Sequence, residues 1–474
     1  MTKSGNREQR EKGSLLRVPA VRRLVVAYVG SALGSGILGV AIAFASYEAS
    51  SQSLVLTVLA LSSNALPALF LAPLVGQVAT RHDPRTVDAL GRVGKIVQVS
   101  AVGALAFTGD LTYVILVVTG LINGSISALA APAWPEVTRM AAPKDRLPEL
   151  TALFPAISAV AAIVGALVGG VVVATIGLGW AFTFNALSFL PMIVAVRAIP
   201  GTPPAYDSGR RSQAIRAGFR TVGRNAALRR AFVLAGLLNL AAWPVLSTLP
   251  ALAHEIEPRG HILGFLTGAF YAGAAAVTWV VARARRRYPY SKVLFVGFLT
   301  AGLMLLAHAA LTGWRNPGAD AVVAAALTLV PIGLAVSLNT ALLQALVQLD
   351  SPADSERAVL VVYATVTTIV TPLGGLLIGA AAELTSLWWA LGGAGLALTI
   401  LALSLRNRLE VFDPLDQRAP IVATGHHWAL AHFSGADMFH HAFAQLHDHH
   451  YHSGRPSAHA DEDAASQQSD DQHW

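Results

Sequence analysis

Ionisable side chains are scarce within the long apolar runs of this 474-residue sequence. Glu48 lies near the end of the first run and His308 lies within a later one. A charged group placed in hydrocarbon is costly, which makes both residues functional candidates, and either could take up and release a proton. The alternative is hydration at an interface, which we expect for the residues nearer the ends of runs, Asp88, Asp110, Glu136 and Glu383.

Side-chain amides inside the apolar runs form a second candidate set. In a membrane each amide needs a hydrogen-bond partner. These groups, Asn185 among them, could bind a substrate in a cavity, or they could join two helices at about 1 kcal/mol per bond. Without a buried charge they favour a bulky, uncharged or amphipathic ligand. The candidate cavity residues are Asn64, Asn123, Asn239, Trp243, Tyr271, Asn339 and Gln344.

Histidines are concentrated in the last part of the chain, from residue 407 onward. Imidazole is a common ligand of zinc, nickel and copper. The candidate ligands of a divalent transition metal are His440, His441, His447, His449 and His450. Their spacing matches no closed site, and low-complexity histidine tracts are also found simply hydrated. No other cofactor is expected.

The composition places the chain in a lipid bilayer. It is 54% hydrophobic and only 13% charged, with a mean hydropathy of +0.55, which is too apolar for a soluble protein of this length. The net charge of +7 is spread between apolar runs, so it indicates membrane orientation and not nucleic-acid binding. The chain has no cysteine, and its polar start favours no cleaved signal peptide.

Hydropathy predicts twelve membrane-spanning helices, since each span needs roughly 20 apolar residues. All lysines and arginines except Arg259 and Arg315 then fall on the side of the two termini. Positive charges accumulate on the cytoplasmic side, so both termini are predicted to be cytoplasmic. The predicted spans are 24–46, 54–79, 87–107, 111–133, 151–176, 179–198, 230–253, 262–282, 292–312, 320–346, 357–382 and 386–405.

The spans divide into two sets of six. A Pro- and Gly-containing, then basic, stretch at 199–229 separates them, and small-residue patterns in the fifth span recur in the eleventh. The fold class is therefore all-α membrane protein, with two pseudo-symmetric six-helix halves. The predicted parts are an N-terminal segment 1–23, a first half 24–198, a linker 199–229, a second half 230–406 and a His-rich tail 407–474.

A short basic turn follows the second span. Gly76 permits close helix packing, Arg81 and Arg85 carry charge at the cytoplasmic face, and Asp83 precedes a helix-breaking proline. This turn resembles the signature loop of the major facilitator superfamily of transporters. By that resemblance Gly76, Arg81, Asp83 and Arg85 form a gating loop. Thr80 stands where the family usually has aspartate, which leaves Asp83 as the nearby carboxylate.

Further stretches, around residues 31–41, 66–67 and 182–190, resemble the branch of the superfamily that contains the enterobactin exporter and drug efflux proteins. The resemblance implies a central cavity that opens alternately to each side of the plasma membrane. It therefore implies a monomeric secondary exporter of a drug-like compound, secondary metabolite or siderophore, coupled to protons. Two departures bear on coupling: Ala166 replaces a proline common in drug antiporters, and the fourth span has no arginine.

Two alternatives remain from the sequence. One is a metal-linked carrier whose His-rich tail senses metal. The other is a polytopic sensor or enzyme, which lacks support because the sequence contains no zinc-protease, nucleophile-turn or phosphate-loop motif. We therefore expect a small-molecule substrate, the lipid bilayer as partner, and no catalytic residues.

Overall fold

The computed structural model describes residues 15–71, 74, 78, 82–143, 145–201, 211–256, 260–284, 287–313, 319–352, 355–406 and 409. Within these segments all regular structure is helical. A helix satisfies its own backbone hydrogen bonds, which is what a segment surrounded by hydrocarbon requires. The all-α fold predicted from hydropathy is confirmed.

In the described residues, the first half contains nine helices, preceded by a short 3-10 turn at Leu15–Arg17. They are α1 (Pro19–Ala49), α2 (Leu54–Ser62), α3 (Pro67–Phe70), α4 (Pro84–Thr108), α5 (Tyr113–Ala130), α6 (Ala133–Ala141), α7 (Leu147–Thr175), α8 (Leu178–Ser188) and α9 (Leu190–Arg197).

Among the residues that the structure describes, the linker supplies one helix and the second half eight. They are α10 (Arg211–Arg224), α11 (Ala226–Ala241), α12 (Val245–Ile256), α13 (Gly260–Ala275), α14 (Val277–Ala284), α15 (Tyr290–Gly313), α16 (Ala319–Asp350), α17 (Glu356–Leu384) and α18 (Leu387–Leu405).

Eleven helical stretches in the described residues are long and apolar enough to cross a membrane, several of them made of two consecutive helices. The remaining predicted span, 54–79, is described only in part, as residues 54–71, which include α2 and α3, and residues 74 and 78. The gap between α2 and α3 precedes Pro67, whose missing N–H cannot continue a helical hydrogen-bond pattern.

Polar residues at the turns set where the spans begin. The side chains of Ser53, Asp83, Asn225 and Ser386 accept hydrogen bonds from backbone N–H groups in the first turns of α2, α4, α11 and α18. Such caps satisfy donors that the helix itself leaves unpaired. Gly109 and Gly177, at φ +80° and +94°, supply the left-handed backbone that ends α4 and separates α7 from α8.

Consecutive spans joined by short turns alternate in direction, which gives the bundle two ends. We call the end with the turns near residues 83, 146, 199 and 288 the basic end. The other, with the turns near residues 51, 110, 177 and 385, is the opposite end. The Arg85 guanidinium donates to the Ile199 carbonyl at 2.7 Å and so ties two turns together at the basic end.

The halves meet through α7 against α13 and through α2 against α17. Gly170 and Gly264 face each other so closely that a methyl group added to Gly170 would lie 2.8 Å from the Gly264 Cα. A methyl group added to Gly375 would lie 3.7 Å from the Val58 Cβ. Small residues at these positions allow helix backbones to approach, as is typical of membrane helix packing.

Candidate substrate cavity

A cavity of about 460 Å³ lies between the two halves. Its walls come from α1, α2 and α7 of the first half and from α12 and α13 of the second. The size is within the range of pockets for small organic molecules. The lining residues are Tyr28, Ser31, Ala32, Ser35, Gly36, Gly39, Val40, Ala43, Leu61, Ser158, Ala162, Ala166, Leu246, Ser247, Leu263, Thr267 and Tyr271.

The polar part of this wall consists of hydroxyl groups. They belong to Tyr28, Ser31, Ser35, Ser158, Ser247, Thr267 and Tyr271, and none of the described lining residues carries a formal charge. A hydroxyl both donates and accepts hydrogen bonds, whereas the rest of the wall is aliphatic. The cavity is therefore suited to a ligand with apolar surface and dispersed hydrogen-bonding groups.

Tyr28 is held at one wall by several contacts. Its hydroxyl lies 2.7 Å from the Ser158 Oγ, which joins α1 to α7. Its ring stacks on Trp134 with centroids 5.4 Å apart and meets Phe154 edge-on at 4.6 Å. Trp134 and Phe154 were not among the predicted site residues.

Of the seven predicted cavity residues, Tyr271 lines the described cavity. Gln344 is exposed on α16. The other five make contacts between or within helices, which is the alternative that the sequence left open for the amides.

The amide contacts follow one pattern. Asn123 donates from Nδ2 to the Asn64 Oδ1 at 3.0 Å, joining α5 to the segment after α2. Asn239 donates to the Ala235 carbonyl and accepts from the Thr371 hydroxyl at 2.8 Å, joining α11 to α17. The remaining predicted residues behave similarly, with Asn339 Nδ2 bonded to the Ala335 carbonyl and Trp243 Nε1 lying 3.3 Å from the Thr340 Oγ1.

Glu48 lies at the opposite end, where polar side chains join the halves. Its Oε1 is 3.1 Å from the His254 Nδ1, and the His254 Nε2 lies 2.9 Å from the Gln52 Nε2. Glu383 of α17 accepts from the Ser53 hydroxyl at 2.6 Å and from the Val55 N–H at 3.3 Å. These contacts join the two halves at the opposite end.

His308, the other predicted proton carrier, is fully buried within the second half. Its Nδ1 lies 2.7 Å from the Thr328 Oγ1, which joins α15 to α16. Its Nε2 has no hydrogen-bond partner among the described residues. His308 is not part of the described cavity wall.

In the predicted gating loop, Gly76 and Arg81 lie outside the described residues, whereas Asp83 and Arg85 are described. Asp83 caps α4 by accepting from the Arg85 N–H, and its carboxylate pairs with the Arg85 guanidinium at 2.6 Å. The hydrogen bond from Arg85 holds the pKa of Asp83 below its ordinary value.

An ion pair on α4 was not predicted as a site. Asp88 is buried, and its Oδ2 accepts from the Arg92 Nε at 2.6 Å. The sequence predicts Asp88 at a hydrated interface and Arg92 among the cytoplasmic charges. Opposite charges four residues apart on a helix were the available signal for a pair. Which face of the helix they share could not be inferred from that spacing alone.

The described residues contain no group of three or more histidine, cysteine or acidic residues that could hold a metal ion. The predicted metal ligands His440, His441, His447, His449 and His450 lie outside the described residues. Metal binding by the tail stays a prediction.

Comparison with known proteins gives one family. Residues 13–432 match the family model described as transmembrane secretion effector. The enterobactin exporter EntS of Shigella boydii is 25% identical over 265 residues, which are 55% of this chain and 63% of that protein. EntS of Escherichia coli O1:K1 is also 25% identical, over 267 residues. The matched region is thus less than two thirds of these relatives.

Solved structures share the fold. A bacterial homologue of the iron transporter ferroportin, in an inward-facing state, superposes with a TM-score of 0.66 at 14% identity, over 84% of this chain and 99% of that one. A bacterial homologue of the human lysosomal transporter Spinster superposes with a TM-score of 0.62 at 13% identity, over 85% of this chain and 99% of that one.

These matches confirm the resemblance seen in the sequence, and they are to transporters, as expected for a chain that is not an enzyme. The helical architecture, the cavity between two halves and the match over residues 13–432 agree with one another. The chain belongs to the transmembrane secretion effector family of major facilitator superfamily transporters.

Proposed function

We propose that this membrane transporter is a secondary exporter of an amphipathic small molecule, acting by alternating access. The observation that carries the proposal is the cavity between the halves, with its hydroxyl-bearing and aliphatic wall. The enterobactin exporters that the chain resembles provide support for export. The proposed location is the plasma membrane.

The proposed cargo has apolar surface, several hydrogen-bonding groups and little net charge at the cavity. Seven lining hydroxyls can exchange donor and acceptor roles, so they accommodate ligands of different shape. The described wall supplies no counter-charge for a small, highly charged solute, whose dehydration would then be uncompensated. Drug-like compounds, secondary metabolites and siderophores with aromatic rings meet these requirements.

The proposed orientation places the basic end and both termini in the cytoplasm, because basic residues are retained on that side. In this orientation the contacts of Glu383 with Ser53 and Val55 close the cavity toward the outside. We therefore propose that this arrangement is the outward-closed state of the cycle. Export requires that these contacts open while the basic end closes.

We propose that export is coupled to proton entry and that Glu48 is the proton carrier. It lies 3.1 Å from His254 of the other half, so a change in its charge would act directly on the contact between halves. His308 is a weaker candidate, because it is packed inside one half with Thr328. Replacing Glu48 with Gln is expected to change the pH profile of transport, whereas His308→Gln should leave the profile unchanged.

Uptake into everted membrane vesicles tests this function. The panel contains enterobactin, an uncharged aromatic compound, a lipophilic dye and a small dianion, each measured with and without an imposed pH gradient. Ser35→Trp, which fills the cavity, is the matched inactive control. We expect gradient-dependent accumulation of an amphipathic compound that Ser35→Trp abolishes. If every compound accumulated equally in vesicles with the wild-type protein and in vesicles with Ser35→Trp, the proposal would be rejected.

A further inference from the structure

A row of four side chains connects a buried charge on α4 to the cavity wall. Asp88 accepts two hydrogen bonds from the Arg92 guanidinium, at 2.6 and 3.1 Å. The Arg92 Cζ lies 5.7 Å from the centroid of the Trp134 ring. Trp134 in turn stacks on Tyr28 with an interplanar angle of 19°, and Tyr28 lines the cavity.

The row is built from three different elements of the first half, α4, α6 and α1. The Asp88 and Arg92 side chains are only 7% and 15% exposed, so water screens their charges weakly. A partly desolvated guanidinium over an indole ring is an attractive cation–π contact. Phe154 meets both Tyr28 and Trp134, at 4.6 and 4.9 Å, and limits their sideways movement.

Fold stability alone does not account for this arrangement. A buried ion pair is often no more stabilising than apolar residues of the same volume, because both charges lose hydration. A guanidinium held by two bonds does, however, have a fixed orientation, which apolar residues would not provide. The pair therefore supplies a rigid support for the Trp134 ring.

We infer that Arg92 and Trp134 are positioning residues that fix Tyr28 in the cavity wall. Asp88 orients Arg92, Arg92 holds one face of Trp134, and Trp134 holds the ring of Tyr28 against Ser158. That Tyr28 contacts cargo rests on the proposed function. The dependence of the Tyr28 position on Arg92 and Trp134 is independent of the proposed function.

The test uses labelling and no transported compound. The chain has no cysteine, so Ser158→Cys introduces a single thiol beside the Tyr28 hydroxyl. Its rate of modification by a small maleimide reports how well Tyr28 covers it. In this background we expect Trp134→Leu and Arg92→Gln each to raise the rate about threefold or more, while Trp134→Phe, which keeps a stacking ring, stays near the parent rate.

The double variant Arg92→Gln with Trp134→Leu should raise the modification rate no more than the more effective single variant does, because both substitutions act through one contact path. Arg139→Gln is the matched control: Arg139 lies on the same helix as Trp134 but pairs with Glu136 at the surface, so its loss should not change the rate.

Each variant is first checked for monodisperse elution in detergent. Should Arg92→Gln fail that check, Trp134→Leu, which keeps the ion pair, decides alone. An unchanged rate in folded Trp134→Leu would overturn the inference, as would rises that add independently in a folded double variant. A failure of the export assay would leave this result unaffected.

Discussion

At the residue scale, the turn before α4 shows how one carboxylate serves two purposes. Asp83 caps the helix through the Arg85 N–H and also fixes the Arg85 guanidinium. Arg85 then donates to the Ile199 carbonyl, which joins the turn before α4 to the end of α9. A single side chain thereby links helix initiation to packing between two spans.

Substitution of Asp83 separates these purposes. Asp83→Asn keeps a capping side chain but loses the ion pair, whereas Asp83→Ala loses both, at about 1 kcal/mol for the cap. We expect the melting temperature in detergent to be highest for the wild type, lower for Asp83→Asn and lowest for Asp83→Ala. Asp110→Ala, in another turn, is the control and should melt like the wild type. If Asp83→Ala also melted like the wild type, the cap and the ion pair of Asp83 would not stabilise the folded protein.

The pH dependence of this difference follows from the direction of the pKa shift. Because Arg85 lowers the pKa of Asp83 in the folded chain, the stabilisation is fully present above the ordinary carboxyl pKa of about 3.9. It is lost as the pH falls through the lower pKa of the folded state. The gap in melting temperature between wild type and Asp83→Asn should therefore be constant from pH 5 to 8 and shrink below about pH 4. A gap that widened toward acid would contradict the ion pair.

The polar residues show what sequence could and could not provide at this scale. Asn239 and Asn123 were recognised as needing partners, because an amide in hydrocarbon is costly when unpaired. Whether the partner is a substrate or another helix depends on which way the side chain points, and hydropathy carries no such information. The direction of the side chains also decides that Asp88 and Arg92 form a buried pair, which the sequence does not predict.

At the element scale, glycines decide how closely the two halves approach. The Gly264 Cα, on α13, faces Gly170, on α7, across the interface. A methyl group at Gly264 would lie 2.5 Å from the Ala166 carbonyl oxygen and 2.6 Å from the Gly170 Cα, so the helix backbones would have to separate. Gly236, on α11, has no atom within 4 Å of the same position.

These two glycines form a matched pair of tests. Gly264→Ala should destabilise the protein by about 1–3 kcal/mol, the usual cost of overpacking, and lower its melting temperature in detergent. Gly236→Ala should leave the melting temperature unchanged or slightly raised, since alanine favours helix. Equal behaviour of both variants would mean that the α7–α13 contact does not limit the packing of the halves.

Hydropathy predicted most elements well, since a spanning helix is a continuous apolar run. It predicted 54–79 as one helix, whereas the structure places a break between α2 and α3. Pro67 was visible in the sequence, but membrane helices tolerate proline when neighbours satisfy the freed groups. Asn64, which lies in the break, is bonded to Asn123 of α5, and the linear pattern does not contain that contact.

At the scale of the whole molecule, the organising feature is a cavity shared by two halves that touch near the opposite end. The small-residue repeat in spans five and eleven predicted the duplication. The contacts that join the halves were not predictable, because they pair residues distant in sequence, such as Ser53 with Glu383. The proposed alternating access requires that such pairings break and re-form during each cycle.

A disulfide across the interface tests this claim most directly. A Cβ at position 375 would lie 3.7 Å from the Val58 Cβ, which suits a disulfide between α2 and α17. The control bridge, Ala309→Cys with Gly392→Cys, has the same 3.7 Å spacing within one half. Both pairs enter a chain that has no other cysteine.

The measurement is uptake of the transported panel compound into everted vesicles, before and after oxidation and after reduction. We predict that oxidation of Val58→Cys with Gly375→Cys reduces uptake at least tenfold, that a reductant restores it, and that the bridge within one half has no effect. Undiminished uptake with the bridge between halves fully formed would contradict the account, because the halves would then not need to separate at the opposite end.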